Sequence, residues 1–195
     1  MPPALFASEC TTLLHICPYD GSLLDPVTRV VFALKKKANG GCERFIAEQM
    51  ASRLREYLYE NSDCDFCVTY IPRRKRAIIK FGHDQSELLA RRIADFCGLE
   101  FFKYLENNGR GKEQKSLDVK GRIRNVRRML CASKDAVTAK GKNVILVDDV
   151  ATSGASLAAG TAVLIECGAA SVTGMCLALT DKKKKTEYGE NKIKF

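Results

Sequence analysis

The segment Val144-Ile145-Leu146-Val147-Asp148-Asp149-Val150-Ala151-Thr152-Ser153-Gly154-Ala155-Ser156 restricts this chain more than any other. Four consecutive apolar residues ending in charge read as a short strand buried on both faces. The two aspartates then emerge at its carboxyl end, where adjacent carboxylates repel each other and lose hydration. They need partners, and vicinal sugar hydroxyls or a hydrated magnesium ion would supply them. Small residues lead from there straight into a helix, whose first backbone N–H groups and dipole make a cradle for an anion. Thr152, Ser153 and Ser156 add hydroxyl donors, and Gly154 permits close backbone approach. Acids and cradle together predict a grip on a ribose 5-phosphate, by its ring hydroxyls and its phosphate at once.

Three other readings compete for the same residues. A hydrophobic run ending in acids suits a Walker B strand, which requires G-x-x-x-x-G-K-[S/T] upstream. Here Gly111-Lys112 runs into Glu113 and Gly141-Lys142 into Asn143, so that pattern is missing. The G-x-G-x-x-G of a dinucleotide-binding turn is missing too. A bare strand followed by a capped helix would need neither an acid pair nor three hydroxyls and a glycine within a few residues. The ligand-binding reading is therefore preferred.

The rest of the chain supplies strands and helices in alternation. Pro26–Lys37 places Val27, Val30, Val31 and Leu34 at helical spacing before a basic end, and Gly40-Gly41 breaks that pattern. Glu43–Tyr59 aligns Ile46, Met50, Leu54, Tyr57 and Leu58 on one helical face. Phe66–Ile71 reads as a strand stopped by Pro72. Asp84 and Glu87 resemble a capping box for a helix over Gln85–Cys97, with Leu89, Ile93, Phe96 and Cys97 inward and Gly98 as its stop. Leu99–Leu105 and Met129–Ala132 are weaker strands, Asn143–Val147 a strong one. Ala155–Cys167 is helical with Leu157, Thr161, Leu164 and Ile165 inward, and Ser171–Leu179 is a last strand. The stretch Glu106–Lys120 is polar and reads as a mobile loop. Such alternation implies an α/β fold with a mostly parallel sheet covered on both faces, with ligands beyond the carboxyl ends of the strands. The expected division is an irregular segment over 1–22, one domain over 23–180 and a basic tail over 181–195.

Charge narrows the partners. The net charge of +9 is concentrated in Arg73–Arg76, in Arg122, Arg124, Arg127 and Arg128, and in Lys182–Lys185. Such knots suit phosphate-bearing partners, either a nucleotide sugar or a nucleic-acid backbone; the third reads as a solvated tail. No helix-turn-helix or zinc-finger pattern accompanies them. No apolar run is long enough to span a membrane, and the opening residues make a poor secretion signal, so a cytoplasmic protein is expected. Nine cysteines in such a chain should mostly be reduced thiols. Only Cys64 and Cys67 have Cys-x-x-Cys spacing, and buried inert thiols are preferred over a redox role.

The segment Val144–Ser156 resembles the phosphoribosyl-pyrophosphate signature of type I phosphoribosyltransferases. Three further stretches make the chain look most like the competence protein F (ComF) family within them. Ile71-Pro72 before Arg73–Arg76 is similar to that family's strand, proline and basic loop. Gly82-His83-Asp84-Gln85-Ser86-Glu87-Leu88-Leu89-Ala90 resembles its glycine-to-helix segment. Gln114-x-x-Leu117 with Arg122-x-x-Asn125-Val126 resembles its polar loop. The likeness covers about residues 19 to 180. Phe81 departs from the pattern, standing where an arginine is usual, and Cys10 and Cys17 would be at most a remnant of the family's four-cysteine zinc module.

The resemblance implies a type I phosphoribosyltransferase-like fold with a small hood region. It implies an enzyme that binds phosphoribosyl pyrophosphate with Mg2+ and transfers the phosphoribosyl group to an unidentified nitrogen nucleophile, releasing pyrophosphate. Asp148 and Asp149 would be the catalytic pair holding the ribose hydroxyls. Ala151, Thr152, Ser153, Gly154, Ala155 and Ser156 would bind the 5-phosphate, and Arg73 and Arg76 the pyrophosphate. The other function implied is a non-catalytic module for the same ligand, acting in DNA uptake during competence or in nucleic-acid handling, with DNA or the competence machinery as partner. No resident metal is expected. Accordingly, chelator treatment should neither unfold the protein nor release stoichiometric zinc. One zinc per chain by elemental analysis would overturn this and point to Cys10, Cys17, Cys64 and Cys67 as the ligands.

Overall fold

A computed structural model describes residues 12–19, 25–36, 40–109 and 129–180. In chain order these form β1 (Thr12–Tyr19), α1 (Pro26–Lys36), α2 (Gly40–Glu60), β2 (Phe66–Tyr70), α3 (Lys75–Phe81) and α4 (Gln85–Cys97). There follow β3 (Glu100–Phe101), β4 (Leu105–Asn107), β5 (Leu130–Ala132), a 3-10 helix (Lys134–Ala139), β6 (Asn143–Ala151), α5 (Ala155–Glu166) and β7 (Ser171–Thr180). The main sheet has the order β1-β7-β6-β2-β3, and every neighbouring pair in it is parallel. β4 and β5 form a separate antiparallel ribbon. The α/β architecture with a mostly parallel sheet flanked by helices is thus the one the alternation predicted.

The position of β6 follows from its side chains. Val144 and Leu146 pack into a core shared with Leu157, Val163 and Leu164 of α5 and with Leu105 and Leu130 of the ribbon. Ile145 and Val147 turn to the opposite face, against Met50 and Leu54 of α2 and Leu89 and Ile93 of α4. Because successive side chains point to opposite faces, an unbroken apolar run serves both cores at once. Glu43 of α2, buried, pairs with Arg92 of α4 at 2.5 Å and keeps those helices in register on their shared face.

Several expectations are corrected by tertiary contacts. β1 lies within the stretch expected to be irregular. Among the described residues it is an edge strand paired only with β7, its residues His15, Ile16 and Pro18 are exposed, and proline is tolerated there because one edge needs no ladder bond. Gly40 and Gly41, expected to break the pattern of α1, fall after its end at Lys36 and are the first two residues of α2. The basic knot after Pro72 is not all loop, since Lys75–Phe81 is a short helix ended by Gly82 in the left-handed region at φ 79°. Leu99–Leu105 divides between β3 and β4, and the stretch expected to be loop begins with the last two residues of β4. In α5, Leu157, Thr161 and Leu164 are buried as expected, but Ile165 is 44% exposed, one step around the helix from the inward face. The 181–195 tail, most of the polar loop, its arginine knot and Cys10 lie outside the described residues. Among the described residues no helix is long and apolar enough to cross a membrane.

One helix position is critical for the sheet contact. A Cβ at Gly160 of α5 would lie 2.7 Å from Ile71 Cδ1, 3.0 Å from Leu146 Cδ2 and 3.1 Å from Leu105 Cδ1. All three side chains are buried, so they cannot retreat together. Overpacking typically costs about 1–3 kcal/mol, which outweighs the roughly 1 kcal/mol that alanine gains over glycine in a helix. Gly160→Ala should therefore lower stability in urea unfolding. Ile71→Val, which deletes the nearest methyl, should recover part of the loss in the double variant; strict additivity of the two single effects would show the crowding to lie elsewhere.

Candidate functional site

The acids are carried on a strand that continues past them. β6 pairs with β7 as far as Ala151, with Asp148 opposite Cys176 and Val150 opposite Ala178, so the pair is held within the ladder rather than released at its end. Asp148 is buried; its Oδ1 accepts the Asp149 backbone N–H at 2.9 Å and the Ser86 hydroxyl at 3.4 Å. Asp149 Oδ1 accepts the Val150 N–H at 2.8 Å. Each of the two adjacent carboxylates thus accepts a backbone N–H from the residue that follows it. Beneath them Cys176 is buried, and burial followed by the Asp148 charge pushes its thiol up to about 12. It is a buried, inert thiol and not a nucleophile.

Beyond Ala151 the chain turns through Thr152 and Ser153 to Gly154, the N-cap of α5, at φ 72°. That angle favours glycine. Gly154 offers no side-chain cap and the first turn of α5 holds no acid, so neither supplies an acceptor for the leading N–H groups of the helix. The helix itself is built of small and apolar residues and is buried along most of its length, which fixes the direction in which those N–H groups point.

Facing these elements is the turn after β2. Ile71 continues the alignment, donating its N–H to Val147 O at 2.9 Å. The Arg73 N–H donates to Asp84 Oδ2 at 2.7 Å, and Asn107 Nδ2 donates to Pro72 O at 3.2 Å. The Arg73 guanidinium lies 5.5 Å from the centroid of the Phe81 ring, and its buried Nη1 has no hydrogen-bond partner. The phenylalanine that departs from the resembled pattern is thus a platform for that cation. Burial pushes the Asp84 carboxyl above its ordinary range, although the N–H groups of Arg73 and Glu87 hold it back. Burial acts the same way on Glu87, but hydrogen bonds from Lys103, Tyr70 and Arg91 reverse it and hold that carboxyl below its usual range. Glu87 therefore does not complete a reciprocal capping box: its side chain accepts from Tyr70 at 2.9 Å and pairs with Lys103 at 2.7 Å.

These parts enclose a cleft of about 200 Å³ at the carboxyl ends of β2 and β6. Its walls include Asp148, Asp149 and Ser156 from one side and Arg73 and Arg74 from the other. Ala151, Thr152, Ser153, Gly154 and Ala155 adjoin it in the chain without lining it. Arg76, expected as the partner of Arg73, is exposed on α3 and does not line the cleft, whereas Arg74, just before the helix starts at Lys75, does. Ser86 and Asn107 also line the cleft and were not singled out from the sequence. Their only signal was local: Ser86 follows the cap of α4, and Asn107 ends a strand. Among the described residues no cysteine lines this cleft. Cys64 is exposed, Cys67 is buried with its Sγ donating to Tyr104 Oη at 3.6 Å, and Cys17 donates to Leu177 O at 3.3 Å.

Comparison with known proteins gives this geometry a family. Among solved structures, the purine phosphoribosyltransferase from Pyrococcus horikoshii Ot3 is 19% identical, with 87% of this chain and 78% of that one covered and a TM-score of 0.38. The hypoxanthine-guanine phosphoribosyltransferase from Schistosoma mansoni, solved in complex with IMP, is 14% identical, with 88% and 84% covered and a TM-score of 0.36. No curated protein matches the sequence significantly. The phosphoribosyl transferase domain family matches residues 44–195, which takes in the acid pair, the small-residue loop, the arginine turn and every strand but the first. The chain belongs to the phosphoribosyl transferase domain family.

Proposed function

We propose that this protein binds phosphoribosyl pyrophosphate in the cleft and transfers its phosphoribosyl group to a nitrogen nucleophile, releasing pyrophosphate. The observation that carries the reading is the meeting in one cleft of the acid pair, Ser156 at the start of α5, and an arginine whose buried Nη1 lacks a partner. The finer likeness to the competence protein F family rests on the four sequence stretches described above.

In this reading Asp148 and Asp149 hold the ribose hydroxyls and favour the positive charge that develops on the carbon losing pyrophosphate. The loop from Ala151 to Ser156, with the leading N–H groups of α5, holds the 5-phosphate. Arg73, joined by Arg74 in place of Arg76, receives the pyrophosphate. The protein's contribution is positioning and charge stabilisation, and no covalent intermediate on the enzyme is needed. The paired carboxylates are hard oxygen donors and fit a hydrated divalent cation. Among the described residues no three acidic, histidine or cysteine side chains gather, so magnesium would arrive with waters and ligand oxygens of its own. Bound there, it would neutralise charge on the departing pyrophosphate.

Phosphoribosyl pyrophosphate with magnesium should raise the melting temperature, because a ligand of the native state stabilises it. Asp148→Asn with Asp149→Asn should abolish that shift without lowering the melting temperature of the free protein, since it removes a like-charge contact. A retained shift would take the acids out of the site. Arg73→Ala should weaken phosphoribosyl pyrophosphate by about 1.5–3 kcal/mol, roughly ten- to hundredfold, while sparing ribose 5-phosphate. Arg76→Ala should spare both. Equal losses for the two ligands in Arg73→Ala would reduce that arginine to a general field. Transfer itself is tested by pyrophosphate release across a panel of nitrogenous acceptors, and release with none of them would leave the protein a binding module.

A further inference from the structure

Asp84 uses its two oxygens for two different tasks. Oδ1 caps α4, accepting the Glu87 N–H at 3.5 Å. Oδ2 accepts the Arg73 N–H at 2.7 Å, on the other side of the turn and short helix that separate the two residues. Serine or asparagine would cap α4 about as well without a buried charge. Burial of this carboxylate, only 6% exposed, is costly, and the capping bond is the longer of the two. The stronger interaction is therefore the charge-assisted one to the Arg73 backbone. Two residues on, in the first turn of the same helix, Ser86 donates its hydroxyl to Asp148 Oδ1. One helix start thus touches both walls of the cleft, while Asn107 holds the carbonyl of Pro72 from the ribbon side.

We infer that Asp84 is a positioning residue for ligand recognition: its carboxylate fixes the Arg73 main chain so that the guanidinium, set against Phe81 with Nη1 unpartnered, meets the pyrophosphate of the incoming ligand. The inference rests on the proposed pyrophosphate role of Arg73 and names what makes that role possible. Asp84 itself touches no ligand. Its loss should resemble the loss of Arg73 in ligand selectivity, and its effect should depend on the second oxygen rather than on capping.

The experiment compares Asp84→Ser, Asp84→Asn and Arg73→Ala in the full chain. Calorimetric titration with magnesium and either phosphoribosyl pyrophosphate or ribose 5-phosphate is paired with thermal melts. Serine can cap α4 but is too short to reach Arg73 as well. Asparagine can cap with Oδ1 but presents a donor where Arg73 needs an acceptor. Both variants should melt close to the parent, bind ribose 5-phosphate as the parent does, and bind phosphoribosyl pyrophosphate roughly tenfold or more weakly. Parental affinity for both ligands in Asp84→Ser would reduce Asp84 to a helix cap and overturn the inference. Equal weakening of both ligands would overturn it too, as the mark of a general loss of structure. Arg73→Ala separates the two layers. If it weakens phosphoribosyl pyrophosphate while the Asp84 variants do not, only the positioning role fails. If Arg73→Ala affects neither ligand, the pyrophosphate role itself fails, and any effect at Asp84 then arises by another route.

Discussion

β6 has a neighbour on each edge and a hydrophobic core on each face, so a strand of this kind has no direction in which to yield. β2 and β7 pair with it in parallel, α4 and α2 cover one face, and α5 covers the other. Whatever it carries at its carboxyl end is held to the precision of the sheet. This matters because the cargo is unfavourable by itself. Two neighbouring carboxylates, one of them buried, repel each other and would separate if the backbone allowed it. The ladder pairing to Ala151 keeps them together, and backbone N–H groups and the Ser86 hydroxyl meet their charge. A functional arrangement is thus stabilised by cores that lie mostly on its amino-terminal side.

The opposite wall is organised on a different principle. The turn from Ile71 to Arg74 belongs to no strand or helix, and its shape comes from single hydrogen bonds supplied by distant parts of the chain. β6 takes the Ile71 N–H, Asn107 holds the Pro72 carbonyl and Asp84 takes the Arg73 N–H. Each contact is made by a residue on a rigid element, so the turn inherits rigidity without secondary structure of its own. The Arg73 guanidinium then lies over the Phe81 ring, and among the described residues its Nη1 has no hydrogen-bond partner.

How much of this was legible in the sequence depends on where each signal lies. β6 and α4 could be read because their causes are local: an unbroken apolar run, a cap at Asp84, a glycine stop at Gly98. α5 could be read from the same local logic, with one error at Ile165, where an apolar residue next to the buried face points outward. β1 was hidden because an edge strand is half exposed and shows no clean alternation. α3 was hidden because none of its residues is buried, leaving no amphipathic pattern to detect. The acids and Ser156 were legible as a run; Arg74 was not separable from Arg76 until the helix start at Lys75 fixed which side chain turned inward. Ser86 and Asn107 reach the cleft through long-range contacts, and no short window of sequence contains both partners of such a bond.

The two walls bring opposite charges to one cleft, and Arg73 is placed there by contacts of its own. An arginine free to swing would pair with the nearest carboxylate, and the site would collapse into a salt bridge. Here the Arg73 backbone is bonded to Asp84 and its guanidinium lies over Phe81, while Asp148 and Asp149 accept from donors of their own strand and, for Asp148, of α4. Asp84 serves this purpose by accepting the Arg73 backbone N–H, while the guanidinium charge acts on its carboxyl only through space. A ligand that is anionic at both ends and rich in hydroxyls between them would satisfy each wall separately. Preorganisation of this kind transfers the cost of assembling the site to folding, where two hydrophobic cores offset it, and leaves less to be met when the ligand binds.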